Sequence, residues 1–336
     1  MREFAPRLVA WQRRHGRHGL PWQGTRDPYR IWLAEVMLQQ TQVAAVIPYY
    51  ERFLVRFPEV QALAAASQED VLRLWSGLGY YARGRNLHAA AKAIAAQGAF
   101  PRTAERLQVL PGVGRSTAAA IAVFAFGRRE AILDGNAKRV FARCFGVEGE
   151  RRQWELAQKL LPARGIRIYT QALMDLGATI CTRSGPACER CPVARGCVAR
   201  REGRIAELPA PRQQRVLPQR KATWLVLVSG ARVLLERRAP RGLWGGLWTF
   251  PEPEGADLKA HCRRALGCEI AGVRKLAPIE HGFTHFRLHA QPVLCAVRGR
   301  ALGAQDPGRK WLALGDARHA ALPTPVRRVL RDLLPG

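Results

Sequence analysis

Through the first two hundred residues, apolar positions recur at three- and four-residue intervals, which predicts helices and almost no strand. Loop chemistry at Leu20-Pro21-Trp22-Gln23 and Asp27-Pro28-Tyr29 precedes a helical pattern that begins at Arg30 and runs through Ile31, Trp32, Leu33, Glu35, Val36, Met37 and Leu38 to Gln40 and Thr41. Further amphipathic segments follow, with breaks expected at Pro48, Pro58, Gly77 and Gly98. Pro111, Gly112 and Gly114 make a tight turn between two helical patterns, the second continuing into the apolar run Ala118–Phe126. The triplet Ala131-Ile132-Leu133 then leads to Asp134, Gly135 and Asn136, after which helices read over Lys138–Phe145, Trp154–Leu160 and Gln171–Leu176.

Past Arg200 the pattern changes. The stretch from Arg200 to Ala222 is rich in Pro, Gln and Arg without periodicity and reads as an extended basic linker. Trp224–Val228 and Arg232–Glu236, joined through Ser229-Gly230, read as a β-hairpin. Asp257–Leu266 reads as a helix, His289–Val297 and Lys310–Ala313 as extended, and Pro325–Leu334 as a closing helix. The chain is therefore expected to hold an all-α domain followed by a smaller α+β domain. Its 336 residues are enough for two cores.

Charge narrows the partner. Lys and Arg number 54 against 26 acids, a net charge of +28, which favours a polyanion, nucleic acid before an anionic membrane. The longest clean apolar run is far too short to span a bilayer. Arg2, Arg7, Arg13 and Arg14 around Trp11 leave no signal-peptide core. A soluble cytoplasmic protein, monomeric and without membrane contact, is expected.

Four features carry candidate chemistry. The glycine turn at Gly112 and Gly114 opens a helix and so exposes backbone N–H groups able to hold a phosphate; it also suits a plain helical connection followed by an N-cap aspartate. Glu35 shares a helical face with Ile31, Trp32 and Leu38, where partial desolvation raises a carboxyl pKa, unless the side chain escapes to water. Cys181, Cys188, Cys191 and Cys197 form one compact loop whose thiolates suit zinc or an iron–sulfur cluster. Cys144, Cys262, Cys268 and Cys295 lack ligand spacing. In Gly77-Leu78-Gly79-Tyr80-Tyr81-Ala82-Arg83 a flexible turn presents aromatics and arginine, suited either to entering a base stack or to packing at home.

In order and separation, Leu20-Pro-Trp-Gln, Glu35-Val-Met-Leu-Gln-Gln-Thr-Gln, Gly77-Leu-Gly-Tyr-Tyr-Ala-Arg, Leu110-Pro-Gly-Val-Gly-Arg-Ser-Thr, Leu133-Asp-Gly-Asn, Gln171-Ala-Leu-Met-Asp-Leu-Gly-Ala and the four-cysteine loop closely resemble the MutY-type adenine DNA glycosylases, from Leu20 to roughly the C-terminus. The resemblance implies a multidomain chain: an all-α helix-hairpin-helix glycosylase domain over residues 1–200, with its hairpin at 107–122 and a [4Fe–4S] cluster loop at 181–197, a linker over 201–222, and a C-terminal α+β Nudix-like domain over 223–336. It implies release of adenine paired with 8-oxoguanine or guanine in double-stranded DNA, the base being flipped out of the duplex. In that reading Glu35 is the acid that protonates adenine at N7, Asp134 the ionised carboxylate facing the sugar cation, and Asn136 its support. Trp22, Gln171 and Asp175 surround the extruded adenine. Gln40 and Tyr80 are wedge residues, and the hairpin residues Gly112, Gly114 and Ser116 meet DNA.

Three departures bear on the resemblance. Backbone-cleaving relatives carry a lysine nucleophile at the second residue after the second hairpin glycine; here it is Ser116, so a monofunctional glycosylase that leaves an abasic site is expected. In the C-terminal domain, Ala239–Pro251 is like the Nudix turn region, but Lys259, His261, Arg263 and Arg264 stand where the metal box needs glutamates, so no pyrophosphatase is expected. The resemblance assigns 8-oxoguanine recognition to Phe283-Thr284-His285, with threonine where the family has serine. The alternatives are an endonuclease III-like glycosylase for damaged pyrimidines and a non-catalytic lesion-binding module.

Overall fold

The computed structural model describes residues 1–211, 216–298 and 308–333. They form two compact units, one of Met1–Ala65 with Asn86–Gln213, the other of Ala66–Arg85 with Gln214–Gly336.

The first unit is helical because its apolar stripes need one another. Phe4–His15 buries Phe4, Leu8 and Trp11 and packs against Ile166–Asp175. Pro28–Leu38 is opened by Asp27, whose carboxylate accepts from the Tyr29 amide, and by Pro28 at its first position. It lies against Arg115–Phe126, a helix apolar nearly all round and therefore at the centre of the core. Asp134 caps Gly135–Phe145. The buried cluster from Phe4 through Phe141 and Leu173 to Val193 joins these helices.

Pro48 does not break a helix. It lies inside Val43–Arg56, where burying Val46, Tyr50 and Phe53 outweighs the one backbone hydrogen bond a proline forfeits. The other expected breaks hold: the helices Val43–Arg56, Gln68–Trp75 and Tyr81–Gln97 end just before Pro58, Gly77 and Gly98. Helix Ile166–Asp175 passes into a π-helical turn, Leu176–Ile180, in which the Cys181 amide reaches the Leu176 carbonyl.

All strands among the described residues lie in the second unit: β1 Gln219–Ser229, β2 Arg232–Arg237, β3 Trp248–Thr249, β4 Ile270–Lys275, β5 Ile279–Gly282, β6 Arg287–Val297 and β7 Arg309–Ala313. The order β3-β2-β1-β6-β4 makes one sheet, with β5 added to β6 and β7 to β2. β1 and β2 are the expected antiparallel hairpin, Val228 facing Val233. β1 runs parallel to β6 from Gln219↔Arg287 to Val228↔Ala296. It therefore starts within the stretch read as linker, because Gln219–Lys221 pair through the backbone while their side chains stay exposed and show no alternation. Leu258–Leu266, capped by Asp257, and Thr324–Leu333 are helices of this unit, beside Gln68–Trp75 and Leu314–Ala317; Leu334 lies outside the described residues, as do 212–215 of the linker stretch. Among the described residues no helix is long and apolar enough to cross a membrane.

Candidate active site

A cavity of about 500 Å³ opens in the first unit, with Glu35, Trp22, Gln171 and Arg17 among its walls. Glu35 reaches it from the third turn of Pro28–Leu38, flanked by buried Ala34 and Val36 and near the apolar wall of Ile31 and Leu38. Burial first, and then the charge of Asp134, push the Glu35 carboxyl up to about 8. Trp22 stands edge-on to Tyr50 with ring centroids 5.4 Å apart.

Asp134 is fixed by the helix it caps. One oxygen accepts from the Ala137 amide at 2.8 Å and the other from the Asn136 side chain at 3.2 Å. Burial raises its pKa, opposed by these bonds and by the Arg139 charge. Two carboxyls that sense each other in one desolvated place retain a proton between them. Hydrogen bonds from Ala137 and Asn136 and the Arg139 charge favour the Asp134 anion, whereas burial and a like charge both act against the Glu35 anion. A carboxyl held protonated on a cavity wall can protonate a leaving group, and a carboxylate that it senses can face a developing cation.

Asp175 takes a different place from Trp22 and Gln171. It is fully buried behind the wall, where Gln171 donates to it at 2.8 Å and Arg17 grips it through Nε at 2.7 Å and its backbone amide at 3.0 Å. Arg17 therefore faces the cavity held by an ion pair, a residue that sequence reading missed because its partner lies 158 positions away.

Arg139 and Arg143 were missed as well. Arg139 donates to the Asn136 side-chain oxygen at 2.8 Å, the Gly177 carbonyl at 2.6 Å and the Cys181 carbonyl at 2.6 Å. Arg143, itself buried, binds the Thr182, Arg183 and Leu208 carbonyls at 2.6, 3.1 and 2.8 Å. The only sequence signal was their spacing of four, one face of one helix. Together they fasten the cysteine loop to the helix that starts at Asp134.

Cys181, Cys188, Cys191 and Cys197 line one apolar cavity in that loop. A hydrogen bond from the Cys144 thiol, nearby amides and Arg143 hold Cys197 down to about 6, against its burial. Among the described residues no three His, Cys, Asp or Glu side chains meet around one point, as a single metal ion requires.

The hairpin turn lies between Ala104–Gln108 and Arg115–Phe126. Gly112 needs its positive φ of 77°, and a Cβ there would stand 2.8 Å from that of Asn86. Ser116 Oγ accepts from the Leu133 amide at 3.0 Å, bracing the backbone just before Asp134. Gln40 and Tyr80 have left-handed backbones, φ 56° and 48°, and Trp244 is the third such non-glycine residue among those described. Such strain collects at functional sites. Phe283, Thr284 and His285 form the tip between β5 and β6; Phe283 stacks on Phe286 at 4.4 Å, and Thr284 and His285 are exposed.

Residues 33–163 match the HhH-GPD superfamily of base excision DNA repair proteins, and residues 223–332 match the NUDIX domain. Over 98% of its length the chain is 31% identical to an adenine DNA glycosylase of Buchnera aphidicola, covering 97% of that protein. It is 35% identical to the adenine DNA glycosylase of Rattus norvegicus, with 98% of this chain and 77% of the relative covered. A thermostable thymine-DNA glycosylase of known structure superimposes with a TM-score of 0.56 and 29% identity over 60% of this chain and 96% of its own.

Proposed function

The chain belongs to the adenine DNA glycosylases of base excision repair, and on that premise we propose that its substrate is adenine opposite 8-oxoguanine, or guanine, in duplex DNA and that it stops at the abasic site. The observation that carries the chemistry is Glu35 on the cavity wall, its carboxyl pushed up to about 8 by burial and by the charge of Asp134. Adenine is flipped into that cavity against Trp22 and Gln171. Glu35 gives its proton to N7, the bond from N9 to C1′ breaks, and its electron pair stays with the base. Asp134 faces the cation left at C1′, Asn136 holds Asp134, and water adds to C1′ with loss of a proton. Asp175 acts from behind, keeping Gln171 and Arg17 in place. Ser116 supports monofunctional chemistry, since a serine cannot form a Schiff base and its hydroxyl already holds Leu133.

Gln40, Tyr80, Gly112 and Gly114 meet the duplex in this reading, and the exposed Thr284-His285 tip reads the damaged base. The catalytic domain spans 1–200, the linker 201–222 and the recognition domain 223–336, in a monomeric cytoplasmic protein. The four cysteines hold a [4Fe–4S] cluster; all four thiols line one shared cavity, enough for one thiolate per iron. The cluster, when bound, supplies a rigid crosslink of the loop, and Arg139 and Arg143 pass that rigidity to the Asp134 helix.

The test is single-turnover cleavage of duplexes that hold adenine opposite 8-oxoguanine, guanine or thymine, with hot alkali to reveal abasic sites. Release is expected first from the 8-oxoguanine duplex, with no strand break before alkali. An absence of product from that duplex would overturn the reading.

A further inference from the structure

The turn that carries Tyr80 is strained. Gly77, Gly79 and Tyr80 have φ of 103°, 78° and 48° within four residues. Glycine accepts such angles freely, but a tyrosine there costs about 1–2 kcal/mol and persists only where its surroundings fix it. Its ring is nonetheless 46% exposed, so the fixing is done from beneath.

Both feet of the turn stand on one carbonyl of the C-terminal segment. On one side Ser76 Oγ donates to the Leu322 oxygen, and on the other the Tyr81 hydroxyl donates to the same oxygen at 3.1 Å. The Gly77 amide closes the triangle by donating to the Tyr81 hydroxyl at 3.3 Å. Arg327, from the helix that follows Leu322, donates to Ser76 Oγ at 2.6 Å. Higher up, Trp75 Nε1 donates to the Gly79 carbonyl at 3.0 Å, and the Arg83 guanidinium lies over both the Trp75 and Tyr80 rings. A shared acceptor sets the distance between the feet, and that distance sets how far the turn must arch. Packing alone would not need two hydroxyls to converge on a single oxygen.

We propose that Ser76 and Arg327 are positioning residues for Tyr80: the knot on the Leu322 carbonyl keeps the turn arched and its ring presented for insertion into the duplex. The inference rests on the reading of Tyr80 as a wedge. Through this knot, the segment that follows the recognition sheet controls base extrusion while leaving Glu35 and Asp134 untouched.

A double-mutant cycle on the full-length protein tests it, with single-turnover adenine release from the 8-oxoguanine duplex as the rate and thermal melting as the control for folding. Ser76→Ala and, separately, Arg327→Gln are each expected to slow release about ten-fold, as a misplaced group does. In a Tyr80→Ala background the same changes are expected to add less than about two-fold, because the wedge they serve is already gone. Arg327→Lys, which keeps a charged donor at similar reach where glutamine is shorter and neutral, is expected to recover most of the rate. Arg327→Gln removes only the second bond of the knot and serves if Ser76→Ala melts too low to assay. Equal losses with and without Tyr80, or no loss at all, would overturn the proposal. A wild-type chain that releases no adenine would overturn the activity itself and the proposal with it.

Discussion

In the proposed reaction Glu35 and Asp134 divide the labour of two carboxyls in one place. The Glu35 carboxyl rises from its ordinary 4.5 to about 8, so the folded protein keeps a proton that the unfolded chain has released. Stability from this group is therefore greatest below about pH 4.5 and declines as pH rises toward about 8, where the loss is complete. Asp134 moves in the same direction and adds to the decline. Glu35→Gln stays neutral and escapes the penalty. Relative to wild type it is expected to gain on the order of 4 kcal/mol by pH 8 and almost nothing at pH 4.5, read from melting curves at both values. Its adenine release is expected to fall about 10²- to 10⁴-fold, as the loss of a general acid does. Wild-type release should decline above about pH 8; a variant that melts like wild type at pH 8, or turns over like it, would remove Glu35 from this role. The sequence already placed Glu35 among Ile31, Trp32 and Leu38, because side chains at helical spacing declare their neighbours. Asp175 was harder to read: a carboxylate looks the same in a string whether it lines a cavity or sits behind the wall clasping an arginine.

At the scale of elements, what is local was legible and what is shared was not. Gly112 and Gly114 announce their turn, and Asp134 its cap, because each needs only its immediate neighbours. Pro48 misled because helix Val43–Arg56 is decided by the face it buries. The ties of Arg139 and Arg143 depend on carbonyls some forty residues on and have no local signature. A close backbone approach of this kind is at the π-helical turn. A Cβ on Gly177 would lie 2.4 Å from that of Asn136 and 3.0 Å from its Cα, so backbone as well as side chain must yield. Gly177→Ala is expected to cost about 1–3 kcal/mol in denaturant unfolding and to slow adenine release by displacing Asn136 from Asp134. Retention of both the unfolding midpoint and the rate would show that the turn opens freely.

For the whole molecule, the change from helical spacing to strand alternation marked two kinds of architecture, and the sheet from β1 to β7 lies where alternation begins. The string did not show that residues 66–85 form one compact unit with the C-terminal segment, since Ser76, Tyr81, Leu322 and Arg327 are joined only in space. The cysteine loop is a matter for the whole chain too, because it is stitched to the Asp134 helix. The purified protein is expected to carry about four irons and four sulfides per chain, measured by metal and acid-labile sulfide analysis. Tightly bound zinc without iron would replace the cluster with a mononuclear site.

The cap at Asp134 has one more consequence. Its two oxygens have separate partners: one is held by the Ala137 amide of the helix and the other by the Asn136 side chain. In the proposed reaction the oxygen on the Asn136 side can turn to the charge developing at C1′ while the Ala137 amide keeps the helix capped, so meeting that charge does not cost the helix its start.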